Sequence, residues 1–157
     1  MSNCKTCRNI PVPPSRTPVG DLTNLEYIDS RGVNYVSPHV TVSHTSNGSR
    51  MLSSYAILAS MTPNGSALSA TNRAKLVLMP GVYNIGSGTF TLATQYVDII
   101  GIGKPGDVVI TSSQNTVSQT ADSVRISNVT IKCTGTSSYY AYSVDGSKPN
   151  SRLEDVI

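Results

Sequence analysis

The chain has 157 residues, of which 13% are charged and 38% hydrophobic, with a formal net charge of +3. Ser and Thr together make up about a quarter of it, well above their ordinary share, and with Gly, Asn and Pro they disfavour helix interiors, so a compact helical domain is excluded. The small, scattered positive charge is not the footprint of a nucleic-acid-binding face.

The first residues, MSNCKTCRN, have no apolar signal core, and the longest mainly apolar stretch, Tyr55 to Met61, is too short to span a bilayer. This reads as a chain made in a cytoplasm without a membrane anchor. Three cysteines, Cys4, Cys7 and Cys133, are an odd number and argue against a secreted disulfide scaffold.

In chain order the sequence divides into three parts. Residues 1–38 contain Pro11, Pro13, Pro14 and Pro18 and few large apolar side chains. Such a stretch cannot offset its own chain entropy and is expected to be an extended arm laid on a partner surface. Residues 39–72 are read as a short strand (VTV) followed by an amphipathic helix. Met51, Leu52, Tyr55, Leu58 and Ala59 fall on one side of that helix. Ser46, Asn47 or Ser49 serves as its cap, and Pro63-Asn64-Gly65 stops it. Residues 73–157 then read as strand after strand: LVLM, VYNI, FTL, VDIIGI, VVIT, VRISNVTI and LEDVI.

Those strands repeat. Ile99, Ile126 and Leu153 stand 27 apart, as do Ile102, Val129 and Val156, and Phe90, Val117 and Val144; Tyr83 and Ile110 form a shorter row. Gly101, Asn128 and Asp155 share one polar column, of residue types that tolerate left-handed or tight backbone. Asp98, Arg125 and Arg152 share another, which places Asp98 and Arg125 on adjacent rungs as an opposite-charge pair. A 27-residue unit of three short strands is one coil of a parallel β-solenoid, burying its inward side chains by stacking on the next coil. The expected fold is therefore all-β, a parallel β-helix with an N-terminal capping helix over its first coil. LEDVI matches the middle of a repeat, so the reading expects the stack to go on past it or another chain to cover it.

The succession VTV, SRMLSSYAILASM, LVLMPGVYNIG, VDIIGIGKPGDVVIT and VRISNVTIK resembles the start of right-handed parallel β-helix proteins of the pectate-lyase-like superfamily, over residues 40–157. The resemblance implies a right-handed coil and a helix at the N-terminal end. That superfamily includes carbohydrate lyases and hydrolases and also trimeric phage tailspikes and tail fibres. With no signal peptide and a Pro-rich arm in front, the organisation is most similar to the virion appendages. On that reading the chain is a structural virion protein made in the host cytoplasm. Its arm docks on other virion proteins, it assembles as a homotrimer, and later coils reach a host surface glycan. The alternative is a polysaccharide lyase or hydrolase, a depolymerase whose active site lies beyond this segment.

Candidate chemistry is sparse. Glycosidic cleavage needs two carboxylates about 5–9.5 Å apart, and the acids at hand are Asp98, Asp107, Asp122, Asp145, Glu154 and Asp155. None of the first four shares a repeat column with another acid, and Glu154 and Asp155 are sequence neighbours that point to opposite faces of a strand. Cys4 and Cys7 form a C-x-x-C lacking a second ligand pair nearby; His39 and His44 lie more than thirty residues further on. Asn47, Asn64 and Asn128 head N-x-S/T triplets, and Tyr139, Tyr140 and Tyr142 form an aromatic group between strands, suited to turn packing, sugar stacking or a subunit contact. No catalytic, cofactor-binding or metal-binding residue is assigned within residues 1–157.

Overall fold

A computed structural model describes residues 17–18, 27–36 and 47–157. Two short antiparallel strands, β1 (Thr17–Pro18) and β2 (Tyr27–Ile28), lead into β3 (Val33–Val36). Helix α1 (Asn47–Ala59) follows, and the remaining strands are β4 (Ala74–Leu78), β5 (Gly81–Asn84), β6 (Phe90–Leu92), β7 (Val97–Gly101), β8 (Val108–Ser112), β9 (Val117–Gln119), β10 (Arg125–Cys133), β11 (Tyr142–Val144) and β12 (Arg152–Val156). From β3 onward every pairing is parallel, and the strands stack into a three-faced β-solenoid of about three turns. The first face is β3, β4, β7, the start of β10 and β12. The second is β5, β8 and the end of β10, and the third is β6, β9 and β11.

The interior is built from the columns that the repeat exposes. Leu76, Ile99 and Ile126 lie one above another on the first face, with Leu153 opposite Ile126. On the second face Tyr83, Ile110 and Ile131 form the matching column, and on the third Phe90 stacks on Val117. Tyr83 is fully buried, and its hydroxyl donates toward the carbonyls of Val36 (2.7 Å) and Met79 (2.8 Å), which ties β3 to the first full coil.

Helix α1 closes the first coil. It packs on β3, β4 and β5, with Met51, Tyr55 and Leu58 buried and Leu52 and Ala59 half-buried, the face expected from their spacing. Tyr55 meets Phe90 edge to face at 5.1 Å between ring centroids, and its hydroxyl accepts the Thr94 amide at 3.2 Å. Pro63-Asn64-Gly65 ends the helical segment as a single 3-10 turn, with Asn64 at φ 54°. Ser46 and the VTV segment lie outside the described residues. The strand that starts the first face is Val33–Val36, within the segment read from sequence as arm.

Three details differ from the column reading. Ile102 does not join Val129 and Val156; it is 40% exposed and begins the link of residues 102–107, while Val129 does face Val156. Val117 stands opposite Tyr142 rather than Val144, which faces Gln119. The cause is a redistribution of link lengths. β10 runs from the first face to the second without a link, so Ile131 pairs with Ile110 (21 apart) although Ile126 pairs with Ile99 (27 apart). The longer link of residues 134–141 then recovers part of the difference, so that Tyr142 pairs with Val117 (25 apart), and Leu153 returns to 27 from Ile126. Third, Asp98 does not pair with Arg125: its partner is Arg73.

The corners explain the polar column. Asn128 and Asp155 adopt left-handed backbone at φ 54° and 50°, where a short polar side chain lowers the cost of that conformation. Gly101 is not left-handed. A Cβ there would overlap the Asn128 carbonyl oxygen of the next coil, so close approach, not φ, requires glycine. A second corner uses Tyr96 (φ 65°) and Ser123 (φ 57°), again 27 apart, with the Tyr96 amide donating to the Ser123 carbonyl at 3.3 Å.

One interior position breaks the pattern. Asn34 heads the Leu76 column, is fully buried, and neither its amide nitrogen nor its oxygen has a hydrogen-bond partner. Restoring the column with Asn34→Leu is expected to raise stability by about 1–2 kcal/mol, read as a higher urea midpoint. Gly101→Ala is expected to lower stability by about 2–3 kcal/mol, and an unchanged midpoint would show that the Asn128 carbonyl can move aside.

Candidate functional site

The first face carries a cleft of about 350 Å³ on its outer side. Its floor is one outward column: Lys75 on β4, Asp98 on β7 and Arg125 on β10, on three successive rungs. Side chains alternate along a strand, so the residues next to the buried Leu76, Ile99 and Ile126 must point outward. The walls are the loop of residues 63–73 and the turn before β3.

Both walls are tied down from within. The Asn72 side-chain amide donates to the carbonyls of Pro63 (2.9 Å), Ser66 (2.9 Å) and Ala67 (3.1 Å), which folds the loop onto itself. Asp29 accepts the amides of Arg31 (2.9 Å) and Val33 (3.0 Å) and pairs with the Arg31 guanidinium at 2.7 Å. Partial desolvation raises the Asp29 pKa, but the hydrogen bonds from Val33 and Arg31 outweigh it and hold the carboxyl below its ordinary value. The Asn64 amide donates to the Ser30 carbonyl at 2.6 Å and joins the two walls.

Arg73 locks the floor. Its Nε donates to both Asp98 oxygens (2.8 and 3.0 Å), its Nη2 pairs with Asp98 Oδ1 and donates to the Ser123 carbonyl at 2.7 Å, and its guanidinium lies 5.4 Å from the Tyr96 ring centroid. Both partners are largely buried, with 10% and 6% of their side chains exposed. Charges so placed are tolerable only when paired and fully hydrogen-bonded, so Asp98 is spent on structure. Arg73 thereby pins the left-handed corner at Tyr96 and Ser123.

The other acids also serve the coil. Asp107 accepts the Lys104 amide at 2.8 Å within the link of residues 102–107. Glu154 pairs with Arg152 at 2.6 Å on the exposed last strand. Asp122 accepts the amides of Ser123 (2.7 Å) and Asn150 (3.1 Å) and the Asn150 side chain (2.8 Å). Desolvation raises the Asp122 pKa, and these bonds, stronger together, bring it below the ordinary carboxylate value. Tyr139 and Tyr140 are 39% and 63% exposed, whereas the Tyr142 hydroxyl, its pKa raised by burial, donates to the buried Gln119 side chain. Gln119 also donates to the Ala121 carbonyl (2.8 Å) and Ser151 Oγ (2.6 Å), a fully satisfied polar group inside the third face that sequence reasoning missed.

A second hollow, about 300 Å³, opens at the far end of the stack. Ile131, Ala141, Tyr142, Leu153, Asp155, Val156 and Ile157 line it, with Leu153 47% and Ile157 73% exposed. Cys4, Cys7, His39 and His44 lie outside the described residues. Among the described residues no group of three or more His, Cys, Asp or Glu is placed to hold a metal, and no helix is long and apolar enough to cross a membrane.

No protein-family model, no curated protein and no solved structure matches the chain.

Arg73→Met is expected to destabilise the fold by about 3–5 kcal/mol, because it leaves Asp98 buried and unpaired. The double replacement Arg73→Met with Asp98→Leu should recover most of that loss in chemical denaturation. A single variant as stable as the parent would show that Asp98 reaches water or a proton without cost.

Proposed function

We propose that this chain is the attachment region of a structural virion protein, a β-solenoid spike or fibre of the kind its sequence resembles in the pectate-lyase-like superfamily. The N-terminal segment docks on other virion proteins, and the coils project toward the host surface as part of a homotrimer. The observation that carries this reading is the polarity of the stack. The end that faces the N-terminal segment is closed by α1 with Met51, Tyr55 and Leu58 buried, and from it the first-face strands β4, β7, β10 and β12 stack in parallel along one axis. Parallel coils that repeat along one axis from a capped end form a rod with a defined direction, the shape a projecting appendage needs.

Mechanically this suits a stalk. Inner strands such as β7, β8 and β9 bond to the coil above and the coil below, so load along the axis is spread over the ladder instead of meeting a hinge. Three N-terminal segments docking together on one trimer multiply avidity.

The test uses the full chain in virus particles from a host that produces it. Immunogold labelling with antibody to residues 47–157 should decorate a projecting appendage, and light scattering of the isolated protein should give a trimer. Removing residues 1–16, which takes away none of the strands described above, should abolish incorporation while leaving the far-ultraviolet circular dichroism of the solenoid unchanged. A monomer, or a full chain that sediments apart from the particles, overturns the reading.

A further inference from the structure

The cleft on the first face has a charge imbalance that the fold does not use. Arg73 is neutralised by Asp98 and Arg31 by Asp29. The side chains of Lys75 and Arg125, both exposed, form no ion pair or hydrogen bond among the described residues, yet both line the same cleft. They flank Asp98 in the outward column, one rung to either side. At about 4.8 Å per rung their backbones are about 10 Å apart. Two long side chains starting at that distance, above a carboxylate already held by Arg73, can converge on one group between them.

From this we infer that the cleft is a binding site for a phosphate group, with Lys75 and Arg125 as its two cationic arms. The charge matches: two uncompensated cations meet an anion that carries about −1.5 to −2 at neutral pH. The donor chemistry matches too, since a guanidinium offers a planar fork and an ammonium a compact point charge, both suited to phosphate oxygens. Thr71 adds a hydroxyl on the wall, and the loop that carries it is already fixed by the three Asn72 hydrogen bonds, so little ordering is left to be done on binding. Asp98 does not repel the ligand, because its charge is cancelled in place by the bidentate Arg73. The site accepts either free phosphate or a phosphate monoester on a small polar carrier such as a sugar. It is independent of whether the solenoid belongs to a virion.

Isothermal titration of the full chain with inorganic phosphate and with a hexose 6-phosphate, in low-chloride buffer, tests the assignment. The unphosphorylated hexose serves as the blank. One-to-one saturable binding of at least one phosphate probe is expected. Lys75→Gln and Arg125→Gln should each weaken it about tenfold, and Arg125→Lys should keep most of it. Lys132→Gln, on the second face and outside the cleft, should leave it unchanged. Tighter binding of the hexose phosphate identifies a sugar-borne ligand, and equal binding identifies free phosphate; both support the site. Absence of saturation at a concentration on the order of 10 mM, equal binding by the Lys75 and Arg125 variants, or an equal loss in the Lys132 variant overturns it. The Lys75 and Arg125 side chains are exposed and without partners among the described residues, so their replacement leaves the fold intact, and circular dichroism of each variant checks this directly.

Discussion

Everything in this molecule depends on strands finding their hydrogen-bond partners in the next coil. Within a coil no strand pairs with its sequence neighbour: β4 bonds to β7, β5 to β8 and β6 to β9. The backbone groups of each coil are therefore satisfied only by stacking, and a lone coil would expose both its ladder and its apolar interior. Stability is collective along the axis, and the ends are where it fails. At the first end the chain applies two separate remedies. Helix α1 covers the interior, while β2 and β1 continue the first face past β3 in antiparallel fashion. An antiparallel pair cannot propagate the coil, so the same residues that satisfy the edge also terminate the stack there.

Stacking constrains strand register but leaves the links free. The coil that contains β10 has lost the link between its first and second faces and lengthened the two that follow, yet returns to the first face after the same 27 residues. Lateral registry is thus enforced where the column is most apolar, at Leu76, Ile99 and Ile126, and relaxed on the third face, where a glutamine replaces an aliphatic residue. Gln119 is admissible there because Tyr142, Ala121 and Ser151 satisfy it. Asn34 in the first column has no such partners and remains a local cost.

How much of this could be read from the sequence follows from which contacts repeat. The rows through Ile99, Ile126 and Leu153 and through Tyr83 and Ile110 were legible because each residue packs on its own counterpart, so one chemical requirement recurs at one interval. The capping helix was legible from its single apolar stripe. Val144 and Ile102 were misplaced because a constant period was carried across faces whose links differ in length. The corner at Tyr96 and Ser123 gave no signal, since neither residue type marks left-handed backbone. The Arg73–Asp98 pair was hidden for a different reason: Arg73 lies before the first full repeat and has no counterpart in later coils, so column logic assigned Asp98 to Arg125.

That misassignment is informative about the cleft. Had Asp98 paired with Arg125, that pair would be neutral, Arg152 is held by Glu154, and Lys75 would be the one unpaired cation left in the outward column. Because a residue from outside the repeat neutralises the acid, both of its neighbours on the ladder keep their charge and their freedom. The repeat supplies evenly spaced side chains on a rigid floor, and the non-repeating loop of residues 63–73 supplies both the wall and the counter-charge. Local chemistry arises in this solenoid where the capping region meets the first coils, a place where the symmetry of the stack is broken by residues that occur only once.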